Sequence, residues 1–299
     1  MVTQKPFLLI LGSLVLPHFV LPHGDHGDPS TWKGTCKRGR HQSPVDVEIE
    51  DMERMSFPPL KFGNYNKTGP LTQIHEGTSV TMLGFKDWKQ RPYVTGGNLL
   101  EDKYYLEGMH FHWSSEHTVA HKHFPLELHL VHAKKNVNWK ANNFKKSVLV
   151  LAILFKIGDK NIEGIEEMLR ATATNGKKVP LKTLRPSVFL PEDRATFFSY
   201  AGSLTTPPCT EGVLWIVMAQ PKIISAAQHK QISRGDVTTH KHLENAAMIG
   251  IARTKLSKFF NARPIQPLYG RHVFVNSAQP VRENPALKYL LMKQMKSVV

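Results

Sequence analysis

Seven of the sixteen histidines in this 299-residue chain fall between His110 and His132, inside sequence that reads as strand. In His110-Phe111-His112-Trp113 a strand's two-residue period turns both imidazoles to one face and Phe111 to the other. In Glu127-Leu128-His129 the same period sets Glu127 beside His129, where its carboxylate can accept a hydrogen bond from the ring nitrogen that holds no metal. If the two strands are neighbours, about 5 Å apart, three imidazoles meet at one point and leave a fourth coordination position open. Three neutral nitrogens with an open position favour zinc, although copper also accepts imidazole and the spacing alone does not choose between them. A lone His-x-His is more often core or surface histidine; the second strand with Glu-x-His makes the metal reading as good as that one.

A second group is Ser203-Leu204-Thr205-Thr206-Pro207-Pro208, followed by Cys209. Residues before proline are pushed out of the helical region, so this is a stiff, extended segment that holds a hydroxyl at a fixed angle. Taken without the histidines it reads equally as a rigid surface turn.

The elements that must position these groups are mostly strands. Tyr104 to Trp113, Leu126 to His132, Val148 to Ile157 and Val213 to Ala219 are apolar runs bounded by Gly, Pro and Asn. Ile162 to Ala171 and Glu192 to Tyr200 open with acidic residues and are the helix expectations. No repeat and no Gly/Ser linker divides the chain, so one domain from 25 to 275 is expected, followed by a tail over 276–299 that is either a basic amphipathic helix or frayed.

Composition is that of a globular protein, 41% hydrophobic and 21% charged, with no apolar run long enough to span a bilayer after the N-terminus. Lys5 ahead of the apolar run Phe7 to Leu16 makes residues 1–20 a signal peptide, with a buried N-terminal element as the alternative. Pro17, His18, Phe19 and Val20 lack the small residues of a cleavage site, so the cut is not placed. Cys36 and Cys209, the two cysteines, form either one bridge or two buried thiols. Asn66-Lys67-Thr68 is a glycosylation sequon. The net charge of +15 invites a polyanion, but its lysines and arginines run along the whole chain without a nucleic-acid motif, so no nucleic-acid partner is expected.

Together, His110-Phe111-His112-Trp113, Ser115-Glu116-His117-Thr118-Val119, Glu127-Leu128-His129-Leu130-Val131-His132 and Ser203 to Pro208 resemble the alpha carbonic anhydrases, as do Gln42-Ser43-Pro44-Val45 and Asn261 to Leu268. The resemblance implies an α+β, mainly β, single domain around a twisted, mostly antiparallel ten-stranded sheet with peripheral short helices. It implies Zn2+ on His110, His112 and His129, and the reversible hydration of carbon dioxide to bicarbonate and a proton. By similarity, Thr205 takes the hydrogen bond of the zinc-bound hydroxide and donates its own to an ionised Glu116. Glu127, Asn261 and Tyr200 support the site from behind. Val131, Val150, Leu204, Val213 and Trp215 are the apolar wall for the substrate, and Thr206 contacts the product. Cys36 and Cys209 match the disulfide of extracellular members, which implies a secreted enzyme independently of the signal peptide.

Two positions depart from the family pattern. Thr78 stands where a histidine usually carries the proton out of the cleft, and threonine does not titrate near neutrality. His75 and His23 are the substitutes, read equally as ordinary exposed histidines, so slow proton export is expected. Gly108 stands where a glutamine often supports His110, and loss of such support weakens metal binding by roughly 10- to 100-fold. The alternative function is a carbonic-anhydrase-like extracellular binding or matrix protein contacting an anionic matrix or glycan, with secondary activity; the complete ligand set counts against it.

Overall fold

In the computed structural model, residues 28–49, 52–76, 79–174, 177–233 and 261–295 are described. Their strands are β1 (Asp46–Val47), β2 (Glu53–Met55), β3 (Leu60–Gly63), β4 (Leu71–Glu76), β5 (Ser79–Leu83), β6 (Tyr93–Gly96), β7 (Leu100–His112), β8 (Thr118–Val119), β9 (Lys122–His123), β10 (Leu126–Ala133), β11 (Asn143–Gly158), β12 (Lys178–Leu181), β13 (Phe197–Ser203), β14 (Glu211–Ser225) and β15 (Phe274–Asn276). The α-helices are α1 (Thr35–Arg38), α2 (Glu166–Ala171), α3 (Ala226–Ile232) and α4 (Pro285–Met295).

Ten strands form one continuous path, β12-β4-β5-β7-β10-β11-β14-β13-β15-β2, and β3 and β6 join it beside β7 to make a twelve-stranded sheet. Its pairings are antiparallel except β11 with β14 and β15 with β2. The small sheet β1-β8-β9 stands apart. The expected mainly β fold is therefore present, with two strands more than the ten expected and a mixed pairing at its centre.

The central strands read as unbroken apolar runs because both of their faces are covered. Along β10, Leu126, Leu128 and Leu130 enter one core cluster while Val131 enters the other. Along β11, Leu149, Leu151 and Ile153 face the first core, and Val148, Val150 and Ala152 the second. Phe111 follows the same rule: it points away from its flanking histidines into the first core, edge-on to Phe189.

Two sequence expectations are corrected. Glu192 to Tyr200 is not a helix but a loop leading into β13. The Asp193 carboxylate accepts the backbone N–H groups of Ala195 and Thr196, so the acidic residue builds a turn. The aromatics that follow then pair with β14. The helix expected from Ile162 begins only at Glu166, after Gly164 takes a left-handed φ of 82°.

The chain beyond 275 is not frayed at α4. Asn284 caps that helix by accepting from Ala286 and Leu287 N–H, and Pro285 occupies its first turn. Leu287 and Leu290 are fully buried in the second core cluster. Leu287→Ala is expected to cost about 2–5 kcal/mol of stability, and Met292→Ala, at an exposed position of the same helix, less than about 0.5 kcal/mol. Urea unfolding midpoints of the two variants check this; equal midpoints would mean that α4 does not belong to the cooperative unit.

Candidate metal centre

Antiparallel pairing of β7 with β10 sets His129 opposite His110 and Glu127 opposite His112. The three imidazoles share one face and are buried, with ring centroids 4.9, 5.0 and 4.4 Å apart. One nitrogen from each lies within 4.8 Å of the other two, and His129 Nδ1 is 3.2 Å from His110 Nε2. Outer contacts decide which nitrogens face inward. His129 Nε2 donates to Glu127 Oε1 at 2.7 Å, and His112 Nδ1 donates to the Asn261 carbonyl at 2.5 Å. Lone pairs on His129 Nδ1 and His112 Nε2 therefore point into the cluster.

Burial pushes the His112 pKa down to about 4, and burial together with His112 lowers that of His129. Both rings are neutral at physiological pH, which is the ligand form. Nitrogens held about 2.0–2.1 Å from a tetrahedral zinc stand roughly 3.3 Å from one another, close to the 3.2 Å between His129 and His110. The donor set thus fits zinc. Among the described residues, two other groups have ligand-type side chains. His117, Glu127 and His129 already hydrogen-bond among themselves, and Asp46, Glu48 and His121 form a surface ion-pair cluster.

Glu127 is held from several sides. Besides His129, it accepts His117 N–H at 2.8 Å and His117 Nδ1 at 2.6 Å. Burial alone would raise its pKa, but the facing His117 and His129 hold it well below the usual carboxylate range. His117 Nε2 lies 2.7 Å from the Tyr200 hydroxyl, itself 2.9 Å from Ser43 Oγ. Tyr200 thus reaches the ligands through two intermediaries. Asn261 acts at the C-terminal end of β7, beside the ligands: its side chain accepts Trp113 N–H and donates to the Phe111 carbonyl.

Glu116 is fully buried beside the inward-facing nitrogens, with Oε2 3.7 Å from His112 Nε2 and 3.9 Å from His129 Nδ1. Its Oε1 accepts the Arg263 backbone N–H at 2.8 Å. Burial raises its pKa, while His129, Arg263 and a hydrogen bond with the Thr205 side chain oppose the rise. Thr205 and Thr206 are buried in a loop closed by Leu204 N–H to Thr210 O and Cys209 N–H to Thr206 O. Cys209 is disulfide-bonded to Cys36, so neither thiol is free. Val131, Val150, Val213 and Trp215 lie in one core cluster, with Leu204 packed against it. The Trp215 ring is edge-on to His129, 4.9 Å between centroids.

The structure does not bring His75 to this site. In the β4–β5 pairing His75 faces Val80, a core residue in the cluster that holds Phe111, whereas Thr81 pairs with His110. His75 is buried and its Nδ1 donates to the Thr172 carbonyl at 2.8 Å. His23 and Thr78 lie outside the described residues. Gly108 pairs with Val131 on the ligand face and puts no side chain beside His110. Asn66 is exposed in the turn after β3.

Sequence reading alone gave no role to His117, Ser43 or Arg263. Spacing cannot find His117 as a partner of Glu127, because the chain returns through the β8–β9 turn to bring them together. Arg263 meets Glu116 through its backbone N–H, which carries no residue signature.

A model of the eukaryotic-type carbonic anhydrase family matches residues 27–277. Putative carbonic anhydrase 5 of Caenorhabditis elegans is 33% identical over 288 residues, covering 89% of this chain and 88% of that protein. Carbonic anhydrase 7 of Homo sapiens is 34% identical, covering 84% of this chain and 95% of its own. The alpha-carbonic anhydrase of Thermovibrio ammonificans, solved in complex with the inhibitor sulfanilamide, superposes with a TM-score of 0.60 at 32% identity, over 80% of this chain and 89% of that one.

Glu127→Gln keeps the size of the side chain but removes the charge that faces both His117 and His129. It is expected to weaken zinc affinity by roughly 10- to 100-fold. Competition with a chelating dye measures this, and an unchanged dissociation constant would mean that Glu127 does not orient His129.

Proposed function

The chain belongs to the eukaryotic-type carbonic anhydrase family and is a carbonate dehydratase, and we propose that it works through zinc on His110 Nε2, His112 Nε2 and His129 Nδ1. The observation that carries this reading is the register of β7 against β10, which aims three imidazole nitrogens at one point. When bound there, zinc supplies the Lewis acidity that makes a water ionise near neutral pH, a property established for this enzyme class.

The chain's own groups do the positioning. A hydroxyl can donate one hydrogen bond, and Thr205 donates its bond to the ionised Glu116, so its oxygen lone pairs are left to accept from the nucleophile. Glu116 serves only as an acceptor for this purpose, and the Arg263 N–H bond stabilises its ionised form against burial. Val131, Val150, Leu204, Val213 and Trp215 offer an apolar wall suited to an uncharged linear substrate, which displaces loosely held water. Thr206, beside Thr205, is assigned to the bicarbonate product.

Proton export is the weak step. His75 is turned into the opposite core, and Thr78 has no proton to exchange near neutral pH. We assign the slow step to transfer of the proton to buffer. The disulfide and the exposed Asn66 sequon support a secreted, glycosylated enzyme in an oxidising compartment.

Zinc content and carbon dioxide hydration measured together test the assignment. His129→Ala is expected to lose both. Thr205→Val is expected to keep zinc and lose roughly 100-fold or more in kcat. Metal-free wild type, or a His129→Ala variant with full activity, would overturn the assignment. For proton export, wild-type turnover is expected to rise with imidazole concentration, and Thr78→His to raise turnover in weak buffer. A wild-type rate indifferent to buffer sinks the second proposal and leaves the first standing.

A further inference from the structure

The segment around α1 has an unusual charge. Lys33, Lys37, Arg38 and Arg40 are all exposed, and between residues 28 and 45 the only acidic residue is Asp28. None of the four cations forms an ion pair among the described residues. Across the chain, Arg40 lies over the ring of Tyr269, 4.7 Å from its centroid. Tyr269 is itself 55% exposed, an unusual state for a large aromatic in this protein. Arg271, two residues on, spends its guanidinium on three backbone carbonyls, those of Leu268, Ala201 and Pro267. Its guanidinium is thereby held in place, and its charge is also felt by Glu211. The nearby carboxylate of Glu211 is committed to His41 N–H and Gln42 Nε2.

These cations are also rigidly mounted. Cys36, inside α1, is tied to Cys209, and its carbonyl accepts Arg263 Nη2 at 2.7 Å. Gly39 N–H closes the helix on Thr35 O, and His41 and Gln42, which follow Arg40, are held by Glu211. A solvated basic face needs none of this. Cations that are pre-ordered lose little backbone entropy when a polyanion binds, which favours affinity.

We infer that Lys33, Lys37, Arg38, Arg40 and Arg271, with Tyr269 between them, bind a sulfated polysaccharide. Guanidinium and ammonium groups pair with sulfate oxygens, and the exposed ring offers a flat face to a sugar. Nucleic acid and anionic lipid present related charge. The disulfide at the centre of the patch points to an oxidising compartment, where sulfated glycans rather than nucleic acids are met, and a single tyrosine is too little apolar surface to enter a bilayer. The patch is separate from the metal cluster, so the inference stands or falls independently of the zinc reading.

The test uses the full secreted chain loaded with zinc and a short heparin oligosaccharide as the probe. Wild type is expected to bind at physiological salt, with affinity falling steeply as salt rises. Lys37→Ser/Arg38→Ser/Arg40→Ser is expected to weaken binding at least tenfold and to make the salt dependence shallower by roughly two to three in logarithmic slope. Lys89→Ser/Lys145→Ser/Lys160→Ser, an equal loss of charge at exposed positions elsewhere, is expected to leave binding within about twofold, since a diffuse charge effect is screened by salt. Carbon dioxide hydration unchanged in both triples shows that they are folded. The inference is overturned if wild type fails to bind at physiological salt, if both triples weaken equally, or if duplex DNA or anionic vesicles bind as tightly through the same three residues.

Discussion

The metal cluster depends on one buried anion. Glu127 lies on a strand covered on both faces, where an isolated carboxylate would cost several kcal/mol and would protonate instead. It remains ionised because His117 meets it with a backbone N–H and a ring N–H while His129 meets it with Nε2. Each of those contacts also fixes a neighbour. His129 is left with Nδ1 toward the cluster, and His117 is left with Nε2 toward Tyr200. Through Tyr200 and Ser43 the constraint reaches the loop that carries Thr205, because Ser43 and Ser203 exchange hydrogen bonds in both directions. One carboxylate thus sets the tautomer of a ligand and, through a chain of side chains, helps to position the hydroxyl on the open side of the site.

That arrangement needs a strand whose two faces do different work. On β10, Leu126, Leu128 and Leu130 lie in the first core, while Glu127, His129 and Val131 look into the other side. A slip of β7 by one residue against β10 would send His110 and His112 into the core and Phe111 into the cleft. The apolar partners of Phe111, Phe155 and Phe189, therefore guard the site's geometry as much as the ligands' own contacts do.

The triad is legible in sequence because it rests on strand period alone. His110 with His112, and Glu127 with His129, are fixed within a strand, and only the neighbouring of the two strands has to be supplied. What is not legible is whatever the chain joins from a distance. Asn261 holds His112 from 149 residues away, through a carbonyl that any residue would possess. His75 illustrates the opposite failure. Its type and place along the chain suit a proton carrier, but strand parity at β4 turns it away from the cleft and toward the end of α2. The misread helix at Glu192 has a related cause, since an acidic residue before aromatics serves an Asx turn as well as a helix start, and only pairing with β14 decides.

Arg263 connects the site to the basic surface. Its backbone N–H holds Glu116, while its guanidinium grips Gln42 Oε1, Ser43 O and Cys36 O. Burial lowers its pKa to about 10, still well above neutrality, so it keeps its charge inside the protein. The α1 segment and the Glu116–Thr205 pair are thus held by one residue, yet by different atoms of it. The bonds that pin α1 already exist before anything binds outside. A polyanion resting on the exposed lysine and arginine tips meets charges fixed on a stiff mount, and it has no slack backbone through which to pull on Glu116. Coupling between two sites is commonly carried by an element with two arrangements, and here the disulfide and the Arg263 clamp tie this segment on both sides. Attachment to a glycan and turnover are therefore separable in this fold, so anchoring the enzyme at a surface need not slow it.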